Sequence, residues 1–388
     1  MTALSNAVPP HRRRFLMPLS RYLTKFTQSK LPHDDAHKTA QMLDSAPDKT
    51  LNGILKSYGF NSTSYLALES DKKHFFHHQV PAVTAYAQFN KVAIAAGEPI
   101  CPIDLLGTAI DEFLYFSQQR SQAPLFFEVT ELAVPALQQR GFKFLKLGEE
   151  PFFELDKFTL KGNKMANVRS SGNTARKRGV TVREYYPTEP EASQINPQLE
   201  AISSRWLETR GISELSFTLG TLSLEQPGDR RYYIAEYDHQ VIAFLTYSPI
   251  YARQGVYLDL MRRTENTPTG TMDLLLSESF RLLGASGVKL VTMGMSPLAN
   301  LQDCPIEQSK QLAWLLHKFS VHGKMFYHFQ QLHDFKRKFR PHFWEPKYLA
   351  YRDLGVREVD AILQALLHQS LGRLVWWVLN QPIHLGPL

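Results

Sequence analysis

Cysteine is nearly absent: Cys101 and Cys304 stand alone, with no CxxC pair and no His–Cys cluster. That excludes a disulfide framework and a structural zinc site, and it fits a reducing compartment. Apolar runs of 18 residues or more are also lacking, so no segment is expected to cross a bilayer as a helix. No apolar core followed by a small-residue cleavage site opens the chain, and a secretory signal is not expected. The fourteen histidines include no HExxH motif, and the sequence predicts no metal site.

What is present is a globular composition, 43% hydrophobic and 12% aromatic over 388 residues, enough for two domains or one duplicated unit. The net charge of +7 is unevenly placed. Six basic residues (Arg12, Arg13, Arg14, Arg21, Lys25, Lys30) run without an acid, and eight more do so from Lys157 to Arg183. A third group, Lys336, Arg337, Lys338 and Arg340, precedes an aromatic-rich turn. Single-sign blocks suit an anionic partner, either phospholipid head groups or a nucleic-acid backbone.

Phe15, Leu16, Leu19, Tyr22, Leu23 and Phe26 recur at helical spacing opposite the first basic block. Such a helix can lie in a membrane interface, dock on the protein itself, or serve as a transit peptide. From about residue 51 the pattern alternates between helix and strand. Tyr65 to Leu68 pairs with His74 to His77, and a second hairpin turns at Asn90. Helix Leu105 to Ser117, strand Leu125 to Val129, helix Leu132 to Arg140 and strands Phe142 to Leu147 and Phe152 to Leu155 follow. The order then repeats. A basic helix Asn163 to Arg178 leads to strand Val180 to Tyr185 and helix Pro197 to Thr209. Strands Tyr232 to Tyr237, Val241 to Pro249 and Val256 to Met261 precede helix Thr271 to Leu283. Strand Val288 to Met293, helix Ile306 to Val321 and strand Tyr348 to Tyr351 close the pattern. This is the element order of the GNAT acyltransferase fold, twice. The expected class is therefore α/β (α+β), tandem GNAT-like folds joined by a basic helix. The expected divisions are 1–49 (basic segment and linker), 50–160 (first GNAT-like domain), 161–355 (basic helix and catalytic domain) and 356–388. In the last, Leu363, Leu366, Leu367, Leu374 and Val375 lead to Trp376 and Trp377, as an interfacial anchor or a docked helix.

Asp259 interrupts an apolar strand, where an unpaired buried carboxylate is expensive. It has two readings: a working group in the cleft where a GNAT sheet opens, or a structural partner of Arg262 or Arg263. Three residues apart on a straight strand, Asp259 and Arg262 face opposite ways, so that pair needs a bend or bulge. The loop from Arg262 to Thr271 has one glycine and a proline, a poor cradle for pyrophosphate, which disfavours coenzyme A. Thr271 and Asp273 open the next helix, as cap and first-turn acid or as substrate contacts. Gly294, Met295 and Ser296 end the strand across the opening. Lys336 and Lys338, among Phe335, Phe339 and Trp344, suit unpaired bases that stack while phosphates are neutralised.

Several runs together resemble one family: ILKSYG (Ile54 to Gly59), SYLAL, FLKLGEE (Phe144 to Glu150), FTLKGNKMANVRSSGNTARKR (Phe158 to Arg178), LDLMRR (Leu258 to Arg263), GTMDL, GMSPL, FYHFQQLHDFKRK and WEPKYLA (Trp344 to Ala350). They are similar to the catalytic region of the bacterial phosphatidylglycerol lysyltransferases and alanyltransferases, the multiple peptide resistance factors. Ser296 stands where the family usually has alanine, and Gln331 where it has glycine; no counterpart of the family's multi-helix membrane portion is seen. The resemblance implies a tandem GNAT fold whose second copy moves an amino acid from aminoacyl-tRNA to the hydroxyl of phosphatidylglycerol. No metal or dissociable cofactor is implied. It points to Asp259 and Arg262 as catalytic, and to Arg263, Thr271, Asp273, Gly294, Met295, Ser296, Lys336, Lys338, Trp344 and Glu345 as substrate-binding. Lys161, Lys164, Arg169, Arg176, Lys177 and Arg178 would hold tRNA or lipid phosphate. The expected partners are aminoacyl-tRNA and an anionic phospholipid surface, with the protein peripheral on the inner face of the cell membrane. A GNAT-type enzyme acylating an amine from an acyl-CoA or acyl carrier is the alternative, and a non-catalytic RNA- or membrane-binding module the third reading.

Overall fold

The computed structural model describes residues 50–210, 217–304, 306 and 324–367. The expected segment 1–49, all but the first residue of the expected helix Ile306 to Val321, and Trp376 and Trp377 lie outside them.

Twelve strands among the described residues form one sheet. The first part of the chain supplies β1 (Lys73–Phe76), β2 (Val83–Phe89), β3 (Val92–Ala96), β4 (Ala123–Val129) and β5 (Lys143–Glu154). The second part supplies β6 (Thr181–Tyr185), β7 (Arg231–Tyr237), β8 (Gln240–Ile250), β9 (Gly255–Arg263), β10 (Leu290–Thr292), β11 (Ser296–Pro297) and β12 (Phe343–Tyr351). The spatial order is β1-β2-β3-β4-β12-β5-β10-β9-β8-β7-β6, with β11 beside β5. In both parts an antiparallel run ends in one parallel pair, β3 with β4 and β9 with β10. The last strand of each part is flanked by strands of the other. β12 lies between β4 and β5, and β5 lies between β12 and β10.

The helices are α1 (Leu51–Tyr58), α2 (Leu106–Gln119), α3 (Val134–Gln138), α4 (Ala166–Lys177), α5 (Ala192–Arg210), α6 (Thr271–Ala285), α7 (Lys324–Arg337) and α8 (Val356–Leu367). Thr50 caps α1, its hydroxyl accepting from Gly53 N at 3.1 Å. Two cores result. Phe113, Phe126, Phe142 and Tyr348 fill the first, and Phe153, Tyr247, Leu275 and Phe280 the second. Helix α8 docks on the sheet through Ala361 and Ala365 against Leu349 and Tyr351.

Helix α4 packs across the start of α6. Gly270 before α6 has φ +90°, and a Cβ there would stand 2.0 Å from the backbone oxygen of Ser171, so glycine is required twice over.

Two segments differ from the sequence expectation. Ser64–Leu68 is a 3₁₀ turn, not a strand. Ser64 to Ala67 are all buried, so hydrophobicity carries no alternation to distinguish the two. The two strands expected around Gly148 to Pro151 are one, because β12 and β10 or β11 flank this stretch on both sides.

Candidate active site

The parallel pair β9–β10 ends at Tyr257 and Thr292. Asp259 lies just beyond, where the strands part, and it occupies a β-bulge. Leu258 faces Tyr247 and Leu260 faces Thr246, leaving Asp259 as the extra residue. Leu260 N recovers its lost ladder partner by donating to Thr246 Oγ1 at 3.1 Å. Bulges re-aim side chains, and this one directs a carboxylate into the opening.

Asp259 is 6% exposed. Its Oδ1 accepts from Gly220 N at 2.6 Å and its Oδ2 from Ser248 Oγ at 3.1 Å. Gly220 is demanded by contact, since a Cβ would lie 2.1 Å from Oδ2. Burial pushes the carboxyl up to about 6, against the opposing pull of the Gly220 hydrogen bond and Arg230. Among the described residues Asp259 forms no ion pair. Arg262, 3% exposed, points elsewhere: it donates to Ser203 Oγ and lies over the Trp206 ring at 5.2 Å. Arg263 is exposed and lines a separate 540 Å³ cleft with Arg205, Trp206, His239 and Glu265.

Tyr257 faces the same loop as Asp259, its hydroxyl donating to Thr218 O at 3.4 Å. Across the opening, Lys336 is 5% exposed and donates to Gly294 O at 2.8 Å and Met295 O at 2.9 Å. Burial lowers its amine to about 7, against the raising charges of Glu150 and Glu128. An ammonium has three donors, so one remains beyond these two carbonyls. The floor is Glu150 on β5. It accepts from Ser62 Oγ and Thr292 Oγ1, both at 2.8 Å, and pairs with Lys347 Nζ at 3.1 Å. Lys347 also donates to Asn61 Oδ1 at 2.6 Å and Ser62 Oγ at 3.1 Å. The resemblance runs contain Glu150 and Lys347, but sequence reasoning gave neither a role. Glu128, Tyr257, Ser248 and Gly220 were missed as well.

The structure thus joins Lys336 to Gly294 and Met295, sets Asp259 against Gly220 and Ser248, and sends other predicted residues elsewhere. Lys338 pairs with Asp273 at 2.5 Å, tying α7 to the first turn of α6. Thr271 Oγ1 donates to Pro268 O at 2.7 Å. The buried Ser296 Oγ has no hydrogen-bond partner among the described residues, and its residue joins β11 to Glu149. Trp344 packs on the His333 ring with centroids 4.7 Å apart. Glu345 binds Arg253 through two hydrogen bonds of 2.7 and 2.8 Å.

Around α4, Lys161 and Lys164 before it, Lys177 in its last turn and Arg178 just after it are exposed. Arg169 donates to the backbone oxygens of Leu160 and Gly162, and Arg176 pairs with Glu278 at 2.5 Å. No cluster of His, Cys, Asp or Glu suited to a metal occurs among the described residues. None of the described helices is long and apolar enough to cross a membrane.

A model of the phosphatidylglycerol lysyltransferase C-terminal region matches residues 52–351. The phosphatidylglycerol lysyltransferase of Bacillus subtilis is 28% identical over 318 residues, which cover 81% of this chain and 36% of that protein. That of Staphylococcus haemolyticus is 28% identical over 306 residues, covering 77% and 35%. The chain therefore spans about a third of the length of these relatives. The structure of L-PGS from Bacillus licheniformis superposes with a TM-score of 0.69 at 27% identity, covering 82% of this chain and 95% of that one. FemX shares the fold at a TM-score of 0.50 and 11% identity, covering 82% and 98%. With a mixed α/β fold and a family match across 52–351, the chain belongs to the phosphatidylglycerol lysyltransferase C-terminal family.

Proposed function

We propose that this protein transfers an aminoacyl group from aminoacyl-tRNA to the hydroxyl of phosphatidylglycerol, with the reaction centred on Asp259. The observation that carries the reading is a buried carboxylate, raised to about 6 and free of ion pairs among the described residues, where the strands part. Aminoacyl-tRNA is already an activated ester, so the enzyme needs only to position the hydroxyl, take its proton and stabilise the developing oxyanion. The lipid oxygen bonds to the acyl carbon, the ester bond to the tRNA ribose breaks, and the proton passes through Asp259 to the ribose oxygen. The remaining donor of Lys336 suits the oxyanion. The loop from Arg262 to Thr271, with one glycine and a proline, supports a donor other than coenzyme A, because it is a poor cradle for pyrophosphate. The test is incubation with phosphatidylglycerol vesicles, a set of radiolabelled aminoacyl-tRNAs and, separately, labelled acetyl-CoA. Label in the lipid from tRNA alone supports the reading; label from acetyl-CoA alone removes it.

The tRNA backbone is assigned to the exposed cations Lys161, Lys164, Lys177 and Arg178. Replacing all four by glutamine is expected to weaken tRNA binding and flatten the log–log salt slope by about one unit per lost phosphate contact. An unchanged slope in a folded variant places the tRNA elsewhere.

The basic segment Arg12 to Lys30 supports peripheral attachment to an anionic inner membrane face. The protein is expected to sediment with anionic vesicles and to come off in high salt. Equal sedimentation with neutral vesicles, unchanged by deleting residues 1–30, would contradict this.

A further inference from the structure

We propose that Glu69, carried by the first part of the chain, is a positioning residue for the reaction: it holds the loop whose Gly220 N–H fixes the Asp259 carboxylate. The inference rests on the reading of Asp259 as the reaction centre and adds to it the group that sets its orientation.

The two hydrogen bonds on Asp259 differ in what stands behind them. Ser248 belongs to β8, which is paired with β7 on one side and β9 on the other. Gly220 belongs to residues 217–230, which form neither helix nor strand. A loop amide keeps a 2.6 Å bond to one carboxylate oxygen when its neighbours are tied down, since ordering a free loop costs entropy. Here the next residue is tied. Thr221 N donates to Glu69 Oε1 at 3.3 Å, and Thr221 Oγ1 donates to Glu69 Oε2 at 2.8 Å. Two successive amides therefore end on two carboxylates, Gly220 N on Asp259 and Thr221 N on Glu69. The far end of the loop closes on the same group, with Arg230 donating to Glu69 Oε1 at 2.6 Å.

Glu69 is itself fixed. It follows the 3₁₀ turn Ser64–Leu68, donates its N–H to Leu66 O at 3.1 Å and is 6% exposed. Charge-assisted hydrogen bonds are strong in such a buried setting. The segment around Glu69 grips the loop at further points. Tyr65 Oη accepts from Asp229 N at 3.0 Å, and the Arg230 guanidinium lies over the Tyr65 ring at 5.0 Å. Lys72 Nζ stands 4.9 Å from the centre of the Phe217 ring, which packs on Phe127 of β4 at 5.9 Å. The second part of the chain thus supplies the carboxylate, and the first part holds the loop that meets it.

The contact has no slack. Gly220 is packed so closely on Asp259 that a displaced loop turns the carboxylate with it, and misplacing a reacting group by about 1 Å costs up to about a hundredfold in rate. Burial raises the Asp259 carboxyl to about 6, and the Gly220 bond opposes that rise, which keeps the ionised form available as a base.

The test uses the full chain and the transfer assay to phosphatidylglycerol vesicles, with amide exchange at Gly220 read by mass spectrometry on the same preparations. Glu69→Ala strands Arg230 and is expected to destabilise the fold as well as slow it, so Thr221→Val decides. It removes one bond to Glu69 and leaves the ion pair with Arg230 intact. Its kcat is expected to fall about tenfold with KM nearly unchanged, and Thr221→Ser, which keeps the hydroxyl, is expected to restore it. Exchange at Gly220 is expected to quicken about tenfold in Thr221→Val. In an Asp259→Asn background the same substitution is expected to change the residual rate by less than about twofold, because the group being positioned is gone. A loss carried over in full into Asp259→Asn overturns the inference. So does a Thr221→Val variant that melts lower while kcat and Gly220 exchange stay at wild type, which would make Glu69 a structural staple. Failure of the proposed function looks different: Asp259→Asn then turns over like wild type, or no aminoacyl-tRNA labels the lipid. Failure of this inference alone is the case in which Asp259→Asn loses its rate and Thr221→Val does not.

Discussion

Asp259→Asn leaves a folded protein whose turnover falls by about two orders of magnitude or more, the usual scale for losing a general base or a key charge contact. The amide preserves the local bonding: Oδ1 still accepts from Gly220 N, and Nδ2 can donate to Ser248 Oγ. No arginine is stranded, because Asp259 has no ion pair among the described residues and Arg230 is matched by Glu69 at 2.6 Å. Stability moves in the opposite direction from activity. The carboxyl is raised in the folded state from 3.8 to about 6, so its protonated form is the stabilising one. That contribution is complete below pH 3.8 and is lost as pH rises toward 6. Above pH 6 the ionised group costs roughly 3 kcal/mol, from about 1.4 kcal/mol per pKa unit. At pH 7.5 the asparagine variant should therefore melt no lower than wild type, and at pH 4 the two should converge. Wild-type kcat/KM should fall below about pH 6 as the base is protonated. The finding that would sink this assignment is a variant with near-normal rate per folded molecule and a much lower melting temperature.

Asp259 was legible because it violates a local rule: a carboxylate in an apolar strand demands a reason within a few residues. The bulge that aims it was not legible, since nothing near Leu258 or Leu260 marks an extra residue. The contacts that complete the site were hidden by distance along the chain. Gly220 is 39 residues from Asp259, and Lys347 is 286 from Asn61. Lys336 could be suspected as one cation among aromatics, but its two carbonyl acceptors lie on the far side of an entire helix. The fold was more readable, because amphipathic period and turn residues are local. Asn90, with φ +51°, turns β2 into β3 as its sequence position suggested. Where period failed, at Ser64–Leu68, the segment is buried on every side and tertiary packing chose the conformation.

Glu345→Gln is expected to do the reverse of Asp259→Asn, removing stability and sparing the reaction. Glu345 is 8% exposed and Arg253 7%. Their two hydrogen bonds, of 2.7 and 2.8 Å, join β12 to the turn between β8 and β9. The guanidinium also lies over the Phe152 ring at 4.3 Å and the Phe60 ring at 5.0 Å, so it is packed as well as paired. Forming such a pair gains little over an apolar pair of the same volume, but breaking it leaves a buried cation uncompensated, at about 3–5 kcal/mol. The single variant should melt well below wild type. The double variant Arg253→Met, Glu345→Leu should recover most of the loss, because no charge is left buried. Rate per folded molecule should stay near wild type in both, since neither group touches Asp259, Tyr257 or Lys336. Melting curves and transfer rates on one preparation decide between this role and the substrate contact that the sequence suggested for Glu345. If KM rises while the melting temperature holds, Glu345 binds substrate and the ion pair is incidental.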